Sequence, residues 1–95
     1  MRLREKEIEA RLRRYCDKVG VLCYKFVSPG HRGVPDRILI APGGRVTFLE
    51  LKAPGKSLRP LQKHEHEKLR KQGARVFWAS DFVGARSVVD HLLSI

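Results

Sequence analysis

Residues 36–52 read DRILIAPGGRVTFLELK, and this stretch predicts a β-hairpin. Two runs rich in β-branched and apolar residues flank residues 42–44, whose sequence PGG suits a tight reversal of the chain. A type I turn with proline at its first central position, followed by a left-handed glycine, would set Ala41 opposite Arg45. The length of this loop therefore determines the register of the two strands.

The open end of the hairpin carries three charged residues. Counting outward from the turn sets Asp36 opposite Glu50, with their β-carbons about 5 Å apart. Lys52 lies on the same face as Glu50, because side chains two residues apart in a strand share a face. One interpretation is structural, with Asp36 as a cap at the loop and the other two residues as an ordinary ion pair. A site that holds a cation between the two carboxylates explains all three residues together and is favoured.

The rest of the chain predicts one small α/β domain over residues 1–95, built on a mixed α+β sheet. Pro60 suits the first turn of a helix and Gly73 its end, while Ser80 or Asp81 is expected to cap the last helix. The spacing of apolar residues along the chain predicts the remaining helices and strands. The predicted order is α-β-β-β-α-β-α, with helices over residues 3–19, 60–72 and after residue 81, and strands over 21–27, 36–41, 45–52 and 75–79.

The charge balance favours a polyanionic partner. Twenty Lys and Arg residues against ten Asp and Glu residues leave a formal net charge of +10, and binding to phosphates would release condensed counterions. Solubility alone is the simpler explanation, and a membrane surface is a weaker alternative. No stretch reaches the roughly 18 apolar residues of a transmembrane helix, and no apolar signal-peptide core follows Met1. Cys16 and Cys23 are expected to be small buried residues in a reducing cytoplasm.

Three motifs in order resemble one enzyme family. Residues 33–37 read GVPDR, residues 48–55 read FLELKAPG, and residues 58–62 read LRPLQ. Together they resemble the VRR-NUC nucleases, a branch of the PD-(D/E)xK superfamily of restriction-endonuclease-like enzymes. The resemblance covers essentially the whole chain, as in the stand-alone phage and bacterial members.

This resemblance implies an active site. It implies a metal ion held by Asp36, Glu50 and the backbone carbonyl of Leu51, with Lys52 as the catalytic lysine and Gln62 as a supporting residue. Such oxygen ligands suit Mg²⁺ or Mn²⁺ rather than zinc.

The family pattern also includes a glutamate on the first helix. Glu5 and Glu9 both qualify, because they lie four residues apart on neighbouring parts of one helix face. Glu9 is favoured as a catalytic residue and as a further metal ligand, since its distance from Gly20 resembles that in related junction-resolving enzymes. The other glutamate would then be a solvated carboxylate that balances nearby arginines.

Four basic residues around this site are candidates for binding DNA. His31 and Arg32 lie in the loop that leads to Asp36. Lys56 and Arg59 flank the start of the second helix, whose N-terminus also favours anions. Each is also compatible with a generic surface charge. Nothing resembles a recognition helix or a zinc finger, so we expect binding governed by the DNA backbone and shape.

Two further pairs of residues are predicted to be structural. His64 and His66 lie two positions apart on the second helix, diverge by about 200°, and are expected on the surface. Phe77 and Trp78 lie in the fourth predicted strand and are expected in the core.

These observations favour a Mg²⁺-dependent DNA endonuclease that selects branched DNA. It would act like a Holliday junction resolvase, as a homodimer, in the cytoplasm of a bacterial or phage-infected cell. A second hypothesis is a nuclease that acts on flaps, nicks or plain duplex. A third is a non-catalytic basic module that only binds nucleic acid.

Overall fold

A computed structural model describes residues 4–95, so the predicted start of the first helix at residue 3 lies outside the described residues. The predicted α+β fold and its element order are confirmed. Asp36 and Lys52, which were predicted to end their strands, lie just outside them. The elements are α1 (Glu5–Val19), β1 (Leu22–Lys25), β2 (Arg37–Ala41), β3 (Arg45–Leu51), α2 (Pro60–Lys71), β4 (Val76–Ala79) and α3 (Phe82–Ser94).

The four described strands form one mixed sheet in the order β1-β2-β3-β4. The first three strands are antiparallel, and β4 joins β3 in parallel after the chain crosses over through α2. In the hairpin, Ala41 pairs with Arg45 and Arg37 pairs with Leu49. This is the register predicted from the length of the turn.

The turn itself differs from the prediction. The Gly44 N–H donates to the Ala41 carbonyl at 3.2 Å, which makes Pro42 and Gly43 the central pair of the turn. Gly43 has a φ of 85° and Gly44 a φ of 77°. A positive φ at the second central residue defines a type II turn, not the predicted type I turn. The register is unchanged, because both turns span the same number of residues.

Helices α1 and α3 cover one face of the sheet and form the main core. Ile8 and Leu12 of α1 are buried in this core, and Cys16 is a buried free thiol, whereas Cys23 is only half-buried. Asp81 caps α3, since its carboxylate accepts a hydrogen bond from the Gly84 N–H at 2.7 Å. The buried cluster comprises Ile8, Leu12, Cys16, Val21, Leu39, Ala41, Leu49, Leu51, Ala79, Ala85, Val89 and Leu92.

Helix α2 covers the β4 side of the opposite face and buries polar groups there. His66 was predicted to be a surface residue, and this prediction is wrong. Its side chain is fully buried, and neither ring nitrogen has a hydrogen-bond partner among the described residues. His66 follows Gln62 by four positions and therefore points to the same side of the helix, towards the sheet. His64 is exposed as predicted.

Beyond α2, this face stays open over β1, β2 and β3 in the described part of the chain. Apolar side chains stand in cross-strand rows on it, and Tyr24 is 55% exposed. We call this surface the open face. It consists of Leu22, Tyr24, Ile38, Ile40, Val46 and Phe48. Within residues 4–95, none of the helices is long and apolar enough to cross a membrane.

The aromatic pair in β4 also departs from the prediction. Phe77 and Trp78 were expected in the core, but they are 36% and 40% exposed. Strand β4 lies at the edge of the described sheet and has a partner strand on one side only. Both faces of an edge strand are less completely covered than those of a central strand, and local sequence does not reveal which strand lies at the edge.

Candidate active site

Two carboxylates meet where β2 begins and β3 ends. The Asp36 N–H donates to Glu50 Oε1 at 3.1 Å, and the Leu51 N–H donates to Asp36 Oδ1 at 3.2 Å. Each carboxylate is therefore held by the backbone of the opposite strand. The structure brings Asp36 and Glu50 together on one side of the hairpin, which is the arrangement that the register implies.

Leu51 contributes a backbone oxygen at the same place. Continuing the observed register by two residues sets Pro35 opposite Leu51. The N–H and C=O of one strand residue point to the same neighbour, and the Leu51 N–H points towards β2, where Asp36 accepts it. Proline has no N–H, so it offers the Leu51 carbonyl no ladder hydrogen bond. That oxygen is left beside the two carboxylates, where it can bind another group.

Lys52 and Gln62 both contact Glu50. Lys52 Nζ lies 3.9 Å from Glu50 Oε2, and its side chain is only 14% exposed. Gln62 Nε2 donates to the same oxygen at 3.2 Å, while Gln62 Oε1 accepts from the Arg59 N–H at 2.9 Å. The first turn of α2 is thereby linked to the carboxylate pair through one amide side chain.

Burial makes this pair costly to ionise. Burial raises the pKa of Asp36 to about 6. Burial first, and the neighbouring charge of Asp36 second, raise the pKa of Glu50 to about 7. Lys52 opposes the second shift but does not cancel it. Two desolvated carboxylates with incomplete counter-charge suit a small dication.

The donor set indicates which kind of cation fits. Among residues 4–95, no group of three or more His, Cys, Asp or Glu side chains is arranged to hold a metal ion. The oxygens of Asp36, Glu50 and Leu51 therefore offer few protein ligands and leave the remaining positions to water. Mg²⁺ is commonly bound in this way, through one or two carboxylates with several waters retained.

The two glutamates of α1 lie in different surroundings. Glu9 forms an ion pair with the buried Arg37. Glu5 lines the same cavity as Lys52, and its charge contributes to the raised pKa of both Asp36 and Glu50. Glu9 contributes to that of Asp36 alone. The geometry thus sets Glu5, not Glu9, on the cavity side of the helix.

Two cavities open beside the carboxylate pair. The larger, of about 550 Å³, lies between Glu5, Lys52 and the loop that enters α2. We call it the Lys52 cleft. The smaller, of about 340 Å³, is lined by Asp36, Glu50 and Gln62, and we call it the Gln62 cleft. Asp36 and Glu50 line the Gln62 cleft, whereas Lys52 lines the other cleft.

The sequence model of the VRR-NUC domain matches residues 2–80, which is most of the chain. The chain belongs to the VRR-NUC family. A phage relative of this VRR-NUC chain, "Putative nuclease p44" of Acyrthosiphon pisum secondary endosymbiont phage 1, is 49% identical over 74 residues. That match covers 78% of this chain and 80% of the relative. Family and relative together identify a nuclease, a hydrolytic enzyme that acts on nucleic acid.

Solved structures agree with this assignment. A structure described as "VRR_NUC domain" has a TM-score of 0.82 and 31% sequence identity, and the match covers 92% of this chain and 95% of that one. A second, described as "VRR_NUC domain protein", has a TM-score of 0.81 at 20% identity and covers 99% of this chain and 91% of that one. The second match shows the fold alone.

Three of the four predicted DNA-binding residues of this VRR-NUC chain lie around the clefts. Arg32 lines the Gln62 cleft, Lys56 lines the Lys52 cleft, and Arg59 lines both. His31 does not line either cleft. Its Nε2 instead lies 2.8 Å from Glu65 Oε1, where it ties the loop before Asp36 to α2.

Gly33 strengthens the same connection. It has a φ of 89°, and a β-carbon added there would lie 2.9 Å from the Leu61 carbonyl oxygen. A side chain would therefore push the loop away from α2. The glycine of the GVPD motif allows the close approach that brings Asp36 and Gln62 to the same carboxylate.

Arg37 lies beside the site, although it was not among the predicted site residues. Arg37 alternates with Leu39 and Ala41 on the face of β2 that packs under α1, so its guanidinium is buried beside Glu9. Its Nε has no hydrogen-bond partner among the described residues. An arginine on the inward side of an apolar strand was the available signal, because a buried cation requires an acidic partner.

Proposed function

We propose that this protein is a Mg²⁺-dependent DNA endonuclease that selects branched DNA and acts as a homodimer. One observation carries the proposal, namely the joining of Asp36, Glu50 and the Leu51 carbonyl at a single point beside Lys52. Membership of a nuclease family makes hydrolysis of a phosphodiester bond the chemistry of this point. The net charge of +10 supports a polyanionic substrate such as DNA.

The metal is proposed from the chemistry of the ligands. VRR-NUC nucleases generally use divalent metals, and the three oxygens of Asp36, Glu50 and Leu51 fit Mg²⁺ or Mn²⁺. A bound Mg²⁺ would polarise the scissile phosphate and lower the pKa of a coordinated water. Asp36 and Glu50 would hold the ion, and the hydrogen bonds from the backbone and from Gln62 would orient their oxygens.

Lys52 is proposed as the catalytic lysine. Its ammonium nitrogen sits between Glu50 and the Lys52 cleft. From there it can orient the attacking water and stabilise negative charge on the phosphate oxygens as the bond to the leaving oxygen breaks. Gln62 is proposed as a supporting residue, because it fixes the rotamer of Glu50 and also receives the backbone N–H of Arg59.

Glu5 replaces Glu9 as our proposed acid of α1. Glu9 has its own cation in Arg37, whereas Glu5 faces Lys52 across the cleft. Glu9 would instead position the Arg37 side chain between β2 and α1. The pair of variants Glu5→Gln and Glu9→Gln separates the two roles. We expect Glu5→Gln to lower the cleavage rate without changing the melting temperature. We expect the main effect of Glu9→Gln to be a lower melting temperature.

The open face supports the homodimer. Its rows of apolar side chains, with Leu22 49% and Tyr24 55% exposed, form the kind of surface that marks a protein contact. Two copies joined across a two-fold axis could cut both strands of a junction. Sedimentation of the wild type and of Tyr24→Lys tests this point. A single species near 11 kDa at micromolar concentration for both proteins contradicts the dimer.

DNA cleavage tests the function directly. Labelled plain duplex, nicked duplex, flap and four-way substrates should be incubated with Mg²⁺, with Mn²⁺ or with EDTA. We expect metal-dependent cleavage, fastest on the four-way substrate, and loss of cleavage in Asp36→Asn and Lys52→Ala with DNA binding retained. Faster cleavage of flaps or nicks would favour the second hypothesis. Binding without cleavage on any substrate would favour a basic binding module.

We also propose that the enzyme acts in the cytoplasm of a bacterial host. The phage origin of the 49% identical relative supports this proposal. Fractionation of cells that express a tagged chain checks it.

A further inference from the structure

Trp78 is an unusual residue to find on the surface of this protein. It is the one tryptophan in the 95-residue sequence, and 40% of its surface is exposed. The neighbouring positions along its own side of β4 are better covered, since Val76 is buried and Ser80 is half-buried. Trp78 lies on an edge strand, so its exposed ring is available to a ligand that approaches this side of the sheet.

Trp78 stands next to the carboxylate pair. It is the strand partner of Glu50 in the parallel β3–β4 ladder. Paired residues in a ladder project on the same side of the sheet, so the indole and the Glu50 carboxylate share a face. The Lys52 N–H donates to the Ala79 carbonyl at 2.9 Å and holds the two strand ends in register. The backbone of Trp78 therefore lies one strand spacing, about 4.8 Å, from that of Glu50, and two strand spacings from that of Asp36.

Basic residues lie beyond this end of the sheet. Lys52, which follows the Trp78 partner Glu50 by two residues, lines the Lys52 cleft together with Lys56 and Arg59. A phosphate backbone drawn into that cleft would bring its own nucleobases to the rim of the sheet, within reach of β4. An exposed aromatic face beside a row of cations is the combination that binds single-stranded nucleic acid, in which the cations hold phosphates and the ring stacks on a base.

We infer that Trp78 is a stacking platform for one unpaired nucleobase next to the scissile phosphate. This inference rests on the proposed nuclease function and adds a determinant of substrate choice to it. In an intact duplex the bases are paired and stacked on one another, so none is available to the indole. DNA with an unpaired base beside the cut would gain a contact that plain duplex lacks.

The single tryptophan supplies a direct assay. Wild-type protein in EDTA, which prevents cleavage, should be titrated with a single-stranded oligothymidylate and with a blunt duplex of equal length. Stacking of a base on an indole quenches its fluorescence, so we expect strong quenching with the single strand and little with the duplex. Fluorescence anisotropy of labelled DNA reports binding of both independently of tryptophan emission.

Substitutions give a quantitative test. We expect Trp78→Ala to weaken binding of the single strand by about 5- to 150-fold, the range that loss of one stacked base produces. Binding of the blunt duplex should change by less than about twofold, since it makes no such contact. Trp78→Phe keeps an aromatic face and should restore most of the affinity.

Phe77→Ala is the matched control. Phe77 is the preceding residue of the same strand and is also partly exposed, but it faces α3 on the other side of the sheet, next to His91. Its loss should leave binding of both DNAs unchanged. Equal losses in Phe77→Ala and Trp78→Ala would mean that β4 acts only as a structural element, and this result would overturn the inference.

Two other outcomes would also overturn it. Binding of the single strand by anisotropy without a change in tryptophan emission would mean that no base reaches the ring. Emission that varies with protein concentration but not with DNA would make Trp78 a contact between copies of the chain. The assay measures binding without metal, so the inference and the proposed nuclease activity can fail separately.

Discussion

The two faces of the sheet are built differently. The face under α1 and α3 is filled by apolar side chains, whereas the face under α2 buries His66 and Glu65, leaves rows of apolar residues open, and carries the carboxylate pair. Strand β3 serves both faces. Its odd-numbered residues Thr47, Leu49 and Leu51 are buried in the first, and Glu50 points into the second. The difference separates a closely packed face from the face that carries the proposed active site.

The largest expected effect of breaking this division is on catalysis. Asp36→Asn and Lys52→Ala should each lower the rate of DNA cleavage by about 10²- to 10⁴-fold, because they remove a proposed metal ligand and the proposed catalytic amine. Circular dichroism should report an intact fold for both. Single-turnover cleavage under saturating Mg²⁺ is the measurement. A rate within a factor of about two of the wild type would refute the site.

The converse substitution acts on stability. Leu49→Ala removes a fully buried side chain from the core face and should cost about 2–5 kcal/mol of unfolding free energy. Phe48→Ala, one residue earlier on the open face, is the matched control, and it should cost less because that ring is only half-buried. Urea denaturation measures both. Equal losses would mean that the two faces contribute alike.

Much of this contrast was predictable from sequence, because it follows from alternation along one strand. The length of the PGG loop was sufficient for the register that joins Asp36 to Glu50. The type of the turn could not be predicted in this way, because either of the two successive glycines accepts a positive φ. Burial of His66 was missed for another reason. The sequence of α2 is too polar to show which side of the helix faces the sheet, and the burial of His66 depends on packing of α2 against β4.

The burial of the two carboxylates gives a pH-dependent effect of intermediate size on stability. The pKa values of Asp36 and Glu50 are raised to about 6 and about 7. Folded-state pKa values above the unfolded ones mean that their contribution to stability is present at low pH and is lost as pH rises through 6 to 7. The proposed Mg²⁺ ion would bind the ionised pair, so Mg²⁺ should raise the melting temperature more at pH 8 than at pH 5.5.

Thermal unfolding with and without Mg²⁺ at both pH values measures this effect. Asp36→Asn is the control and should lose most of the Mg²⁺-dependent shift, because it removes one ionised ligand. A Mg²⁺ stabilisation that is equal at both pH values would argue against binding at this pair.

The smallest expected effect concerns His66. Burial lowers its pKa from the ordinary value of 6.5, so the folded protein holds it neutral, and stability should fall as pH drops below about 6.5. His66→Leu removes two buried nitrogens that have no hydrogen-bond partner within residues 4–95, and it should be neutral or stabilising, by up to about 1 kcal/mol. The exposed His64→Leu is the control. A strong destabilisation by His66→Leu would mean that the imidazole has a polar partner.

The residue at position 35, and not the one at position 51, determines whether the Leu51 carbonyl is free to bind an ion. A peptide oxygen is present whatever amino acid occupies position 51, so no side-chain substitution there removes this ligand. The hydrogen bonding of this oxygen is decided opposite it, because Pro35 has no backbone N–H to donate. Replacing Pro35 with alanine would return that hydrogen and extend the ladder by one bond. The peptide oxygen would then be shared between the sheet and the proposed ion, so a substitution that changes no charge would weaken metal affinity.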